Sequence, residues 1–149
     1  MFAALSDRLS ALHRNIEKAI DGLPDEALDW SPGPDMNSIG VLLAHTLGSQ
    51  RYWIGDIAGQ EPSGRVRETE FEVRGLTTVE IRRHMSETLS HSQAVLARLS
   101  PDVLDQKRTP TIYGREVTVA FALAHALEHT ALHTGHIEIT RQLWDQYHG

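Results

Sequence analysis

Apolar residues spaced three and four apart constrain this chain more than any other feature. Leu5, Leu9, Leu12, Ile16 and Ile20 align on one side of a helix from Phe2 to about Asp21. Gly22 and Pro24 end it, because glycine suits the position after a helix and proline cannot continue one. The stretch Asp29-Trp-Ser-Pro-Gly-Pro reads as a loop, with Trp30 expected to tuck against the core. A second helix begins at Asn37 or Ser38, whose side chains can accept a hydrogen bond from a free amide of the next turn. It runs through Ile39, Leu42, Leu43, Leu47, Trp53, Ile54 and Ile57 to Gly59. Gly40, Gly48 and Gly55 inside it each cost up to ~1 kcal/mol relative to alanine, which predicts a close packing partner such as a neighbouring helix.

Thr77 or Thr78 caps a third helix, with Val79, Ile81, Met85, Leu89, Val95, Leu96 and Leu99 on its apolar side and Ser100-Pro101 closing it. An irregular segment follows through Thr109-Pro110 and Tyr113-Gly114. The last helix runs from about Val117 to Tyr147 and carries Phe121, Leu123, Leu127, Leu132, Ile137, Ile139, Leu143 and Trp144. No segment alternates with period two long enough to predict a sheet.

Four such segments predict an all-α four-helix bundle occupying residues 1–149 as one domain. A chain of this size buries roughly 68–70% of the surface its unfolded form exposes, so it builds a core without staples. The connection between the second and third helices decides the topology. Residues 60–76 form a polar stretch of 17 residues that reaches roughly 55 Å when extended. A 23-residue helix is only about 35 Å long. The third helix can therefore run parallel to the second by a crossover, and an up-down-down-up order is predicted over a simple meander.

The absence of cysteine excludes disulfides, cysteine-based zinc sites and covalent thiol chemistry by the protein itself. Any thiolate in a reaction must come from outside. The net charge of −6, with both signs dispersed along the chain, argues against nucleic acid as a partner. No apolar run approaches the ~20 residues of a membrane span. The opening Met-Phe-Ala-Ala-Leu-Ser-Asp already enters the amphipathic pattern and has no leader-like character, so a cytoplasmic protein is the expectation.

Of the nine histidines, His125, His129, His133 and His136 share the last helix. Residues four apart on a helix differ by only about 40° in direction, so His129 and His133 project from one face on adjacent turns. Two imidazoles there can bind one metal, and a third ligand must come from a neighbouring helix. His45 is the best donor. It lies among Leu42, Leu43, Ala44 and Leu47, where an unpaired imidazole is costly to bury. The plainer alternative is a hydrogen-bonded core histidine at 45 and an exposed helical face at 129 and 133. His13, His84, His91 and His148 sit in polar surroundings and read as surface residues. A competing motif overlaps the same helix. His125-Ala-Leu-Glu128-His129 matches H-x-x-E-H, in which two histidines bind zinc and the glutamate is a general base. It needs a downstream carboxylate ligand, for which Glu138 is the nearby candidate, and a substrate cleft.

The segment Asn37-Ser-Ile-Gly-Val-Leu-Leu-Ala-His45 leading to Arg51-Tyr52-Trp53, together with Glu128-His129-Thr-Ala-Leu-His133-Thr-Gly135-His136-Ile137, resembles the DinB/YfiT-like superfamily. The likeness extends over essentially the whole chain, including the loop at Trp30, and is specific in the two histidine segments. It implies an up-down-down-up bundle in which a histidine of the second helix joins an H-x-x-x-H pair of the last around a metal. Matched residue by residue, these are His45, His129 and His133, and His125 becomes a supporting residue. The sequence departs from the H-x-x-x-H-x-G-Q often seen in the superfamily, because His136 stands at the glutamine position.

Three neutral histidines leave at least one coordination position open, as in catalytic zinc sites. Imidazoles also suit nickel, copper and iron, so a divalent transition metal is expected, with zinc or nickel foremost. The resemblance implies a transferase or isomerase that uses a low-molecular-weight thiol, such as bacillithiol, mycothiol or glutathione, to attack a small electrophilic substrate. The alternatives are a metal-dependent hydrolase, with Glu128 or His136 carrying protons, and a non-catalytic metal-binding stress protein. Arg51, Tyr52, Trp53, Tyr113 and Arg141 are candidate substrate contacts. A surplus of apolar positions on the second and last helices permits a homodimer, which the resemblance also implies.

Overall fold

The computed structural model describes residues 1–149. α1 (Phe2–Ile20) buries Leu9, Leu12, Ile16 and Ile20, the predicted stripe. A one-turn α2 (Asp25–Asp29) leads to the Trp30 loop. α3 (Ile39–Gln50) starts at Ser38, whose side chain accepts from the Val41 amide. α4 (Thr78–Arg98) starts at a capping box in which Thr77 and Glu80 satisfy each other's backbone amides. β1 (Lys107–Arg108) and β2 (Val117–Thr118) form a two-residue antiparallel ladder across the irregular segment. α5 (Val119–His148) starts at Thr118, which accepts from the Phe121 amide.

Two core clusters reveal the helix directions. One holds Leu9 from the first half of α1, Tyr52 to Ala58 beyond α3, Val95 and Leu96 from the end of α4, and Val119 to Ala126 from the start of α5. The other holds Ile16 and Ile20, then Ile39 to Leu47, Ile81 and Met85, and Ile137. α1 and α5 thus run one way and α3 and α4 the other. The order is up-down-down-up, and the chain after Gly59 returns along the bundle before α4 begins.

Several sequence expectations change in the packed chain. α3 continues as a π-helix over Arg51–Ala58 instead of a regular helix. The Gly59 amide donates to the Ile54 carbonyl, and Arg51 reaches Asp56 at 2.8 Å, both at the five-residue step of a widened turn. Packing explains it. This segment lies against both α4 and α5, and the extra residue per turn lets four consecutive residues, Tyr52 to Gly55, be buried. The interior glycines are crowded by side chains and an α2 carbonyl. A Cβ on Gly40 would stand 3.0 Å from the Leu28 carbonyl, and one on Gly55 would collide with Arg51.

Val79, Leu132 and Ile139 are exposed, contrary to their assignment to apolar helix faces. The inward face of α5 is instead carried by small residues, among them Ala122, Ala126, Thr130 and Thr134. These allow close approach of α1 and α3, and each threonine hydroxyl donates to the carbonyl four residues back. His13 is buried, not on the surface, because position 13 falls on the α1 stripe. Its Nε2 is 2.9 Å from Gln50 Oε1, and Gln50 Nε2 donates to Ser92 Oγ. His91 is half-buried against Glu61 Oε2 at 2.7 Å, and His84 is half-buried beside Arg83. His148 is exposed and stacks on Trp144, while Trp30 meets Trp144 edge-on at 5.6 Å. No helix is long and apolar enough to cross a membrane.

Candidate metal centre

The parallel descent of α3 and α4 leaves α3 beside the antiparallel α5, and this contact brings three imidazoles together. His45 from α3 has its ring centroid 4.9 Å from that of His129 and 5.1 Å from that of His133. The two α5 rings are 4.4 Å apart, as their spacing of four residues predicts. One ring nitrogen from each of the three lies within 4.8 Å of the others. His45 Nε2 and His129 Nε2 are 3.1 Å apart, a separation two ring nitrogens tolerate only with a proton or a cation between them. Ligand atoms of a tetrahedral zinc site at 2.0–2.1 Å stand roughly 3.3–3.4 Å apart, so the His45–His129 pair is spaced for such an ion and His133 lies close enough to complete the set.

The electrostatics keep the rings ready to donate lone pairs. Burial, and then the neighbouring imidazoles, push the His129 pKa down to about 3. The same causes bring His133 to about 4. Both rings are therefore neutral at pH 7. His133 Nδ1 faces His136 Nδ1 at 3.3 Å, which orients the ring and leaves its Nε2 free. His129 Nδ1 is buried without a protein partner.

Two residues of the site carried no signal in the sequence reading. Glu70 sits in a short 3-10 turn, Arg67–Phe71, within the connection from α3 to α4. It is buried, and its Oε2 lies 2.8 Å from His45 Nδ1. Arg65 donates from Nε to Glu70 Oε1 at 2.6 Å and from Nη2 to Oε2 at 2.8 Å, a two-pronged pairing. Burial alone would raise the Glu70 pKa, but the hydrogen bonds from Arg65 and His45 outweigh it and hold the carboxyl below its ordinary value. An ionised carboxylate only accepts, so His45 Nδ1–H donates to Glu70 and Nε2 is the ring nitrogen that faces His129. Residues 20 and 25 positions beyond His45 leave no local pattern to read.

A cavity of about 470 Å³ opens beside these groups, lined by His45, His129, His125, Trp53, Tyr113 and Arg65 among others. His125 stacks on Phe121 and meets Trp53 edge-on at 4.6 Å, so it belongs to an aromatic wall. It is not part of the converging triad. The H-x-x-E-H alternative is not assembled. Glu128 is exposed, and Glu138 is also exposed, lining a separate groove with Asn15 and Arg141. His136 is exposed as well and does not line the cavity. Of the candidate substrate contacts, Trp53 and Tyr113 line the cavity. Tyr52 is buried, its hydroxyl accepting from the Thr111 amide. Arg51 is engaged with Asp56 and the Glu61 carbonyl, and Arg141 donates to the Ala19 and Asp21 carbonyls at the end of α1.

Comparison with known proteins supports the architecture. No curated protein sequence matches the chain. A crystal structure of a conserved protein from Enterococcus faecalis is similar in fold, with a TM-score of 0.75, 16% identity and 96% of each chain covered. A family profile described as the DinB superfamily matches residues 8–137. That match takes in both histidine segments, all of α3 and α4 and most of α1 and α5, and the chain belongs to the DinB superfamily.

Proposed function

We propose that this chain is a divalent-metal-dependent transferase that activates a low-molecular-weight thiol for attack on an electrophilic substrate. His45, His129 and His133 hold the metal, with zinc or nickel the best fit to three imidazoles. The observation that supports this most directly is the convergence of three ring nitrogens, with His45 and His129 lining an open cavity. A bound metal supplies positive charge that lowers the pKa of a coordinated thiol or water and so provides a nucleophile at neutral pH. The chain's own contribution is to keep that charge undiminished: no carboxylate is among the three ligands, His129 and His133 are neutral, and Glu70 is already compensated by Arg65.

The cavity walls supply the rest. Trp53, Tyr113 and Ile112 offer apolar faces that exclude water and pack a small substrate. Arg67 lines the same space, is exposed, and suits a carboxylate on the thiol or its acceptor. Burial lowers the His125 pKa, so this ring is neutral at pH 7 and able to accept the proton a thiol loses. The carboxylate and histidine first considered for proton transfer, Glu128 and His136, do not line the cavity.

The test is elemental analysis followed by turnover. Metal-reconstituted protein should hold about one metal per chain, with most of it lost in His45→Ala, His129→Ala and His133→Ala. Conjugation of an electrophile panel should then require both metal and added thiol. Turnover of esters or amides without thiol would instead support the hydrolase reading. Stoichiometric metal with no turnover on either panel would support a non-catalytic metal-binding protein.

A further inference from the structure

We infer that Glu70 is the positioning residue of this centre: it fixes the tautomer and ring direction of His45, and Gly48 exists on α3 to admit it. The inference rests on the reading of His45, His129 and His133 as metal ligands. Its geometry, however, stands in the metal-free chain.

Three observations converge. The Glu70 carboxylate is buried and bonded to His45 Nδ1, the ring nitrogen remote from His129. The carboxylate is itself held rigidly, because Arg65 occupies both of its oxygens and the Arg65 side chain is only 7% exposed. The Arg65 guanidinium lies 5.5 Å over the Tyr52 ring, and the Tyr52 hydroxyl is bonded to Thr111, so the clamp is anchored in the core. A loop residue would otherwise be a poor choice for holding a ligand to within a few tenths of an ångström.

Gly48 provides the independent observation. It follows His45 by three residues on α3, on the same side of the helix, where an alanine would be intrinsically more favourable. A Cβ there would overlap Glu70 Oε1 and Cδ, and would press on Arg65 Nε at 3.4 Å. The three atoms nearest to that Cβ belong to Glu70 and Arg65, none to a neighbouring long helix. What approaches is the carboxylate and its clamp. The unfavourable glycine is thus explained by the passage of Glu70 to His45. The up-down-down-up order explains why Glu70 is available, since the crossover between parallel helices must run past α3.

A carboxylate accepting from the non-ligating nitrogen of a ligating histidine sets the tautomer and raises the basicity of the ligand, and its loss commonly costs about 10- to 100-fold in metal affinity. The test uses the full chain as wild type, Glu70→Gln, Glu70→Ala and Gly48→Ala, each checked for helicity and for a cooperative melt. Long-range 1H–15N spectra of the metal-free proteins report the tautomer directly. Wild type should show His45 protonated on Nδ1, whereas Glu70→Ala and Gly48→Ala should lose that signature and Glu70→Gln should retain it in part. Zinc affinity, read by competition with a chelator, should fall about 10- to 100-fold in Glu70→Ala and Gly48→Ala and less in Glu70→Gln.

An unchanged His45 tautomer in folded Glu70→Ala, with zinc affinity within about twofold of wild type, would overturn the inference. Failure of wild type itself to bind zinc would overturn the metal reading instead, and the tautomer spectra would still judge Glu70.

Discussion

Lowering the pH should destabilise the metal-free protein through its histidines well before its carboxylates titrate. His129 and His133 have folded pKa values of about 3 and about 4, against an ordinary value of 6.5 in the unfolded chain. The sign follows from proton counting: between those limits the unfolded state binds more protons, so stability is full above pH 6.5 and falls as the pH drops toward 4 and below. At pH 5.5 an unfolded histidine is mostly protonated while these two rings remain neutral. That difference is worth about 1.4 kcal/mol per ring before solvent screening. Both rings are partly exposed, so roughly half should survive screening, giving about 1–1.5 kcal/mol for the pair. His13, buried against Gln50 with its pKa lowered by burial, acts in the same direction. For a chain of this length the contribution of the pair corresponds to a fall in Tm of roughly 2–6 °C.

The assay is urea unfolding of metal-stripped protein at pH 7.5 and 5.5, repeated on a His129→Gln/His133→Gln double variant. The wild type should lose stability between the two pH values, and the double variant should lose about 1–1.5 kcal/mol less over the same interval. Stability that is constant or rises as pH falls, or an identical pH slope in the double variant, would refute the argument that packing holds these rings neutral.

Replacing His125 by phenylalanine should preserve the aromatic wall against Phe121 and Trp53 and leave the metal content at the wild-type level. Thiol-dependent turnover should fall by about 10²–10⁴, and loss of metal in that variant would revive the H-x-x-E-H ligand set. Ile54→Ala should cost about 2–5 kcal/mol in urea unfolding, because this side chain is fully buried in the π-helical segment between α4 and α5. Thr77→Ala should cost about 0.5–2 kcal/mol by removing one half of the α4 capping box, and an unchanged midpoint would show that the cap is idle.

Local patterns in the chain suffice for the helices and for half of the centre. The stripe of Leu9, Leu12, Ile16 and Ile20, the caps at Ser38 and Thr77, and the four-residue step from His129 to His133 are all short-range features. A helix imposes its geometry within a few residues, so its faces and ends are readable in one dimension. The length of residues 60–76 likewise allowed the crossover that produces parallel α3 and α4.

Tertiary packing decided the rest. His13 looked solvated beside Arg14 and Asn15, but its place on the α1 stripe carries it to Gln50. Leu132 and Ile139 looked like core, yet α5 turns alanine and threonine inward, because close helix contact favours small side chains over large ones. Glu70 and Arg65 reach His45 from a polar connection, and neither carries any periodicity of its own. Burial energies depend on which surfaces meet, and these surfaces meet only after the crossover folds back along α3. The chain alone therefore determined four amphipathic helices and a ligand-capable histidine pair. The packed bundle determined which charge stands behind the third histidine, because that contact joins residues whose proximity no local rule encodes.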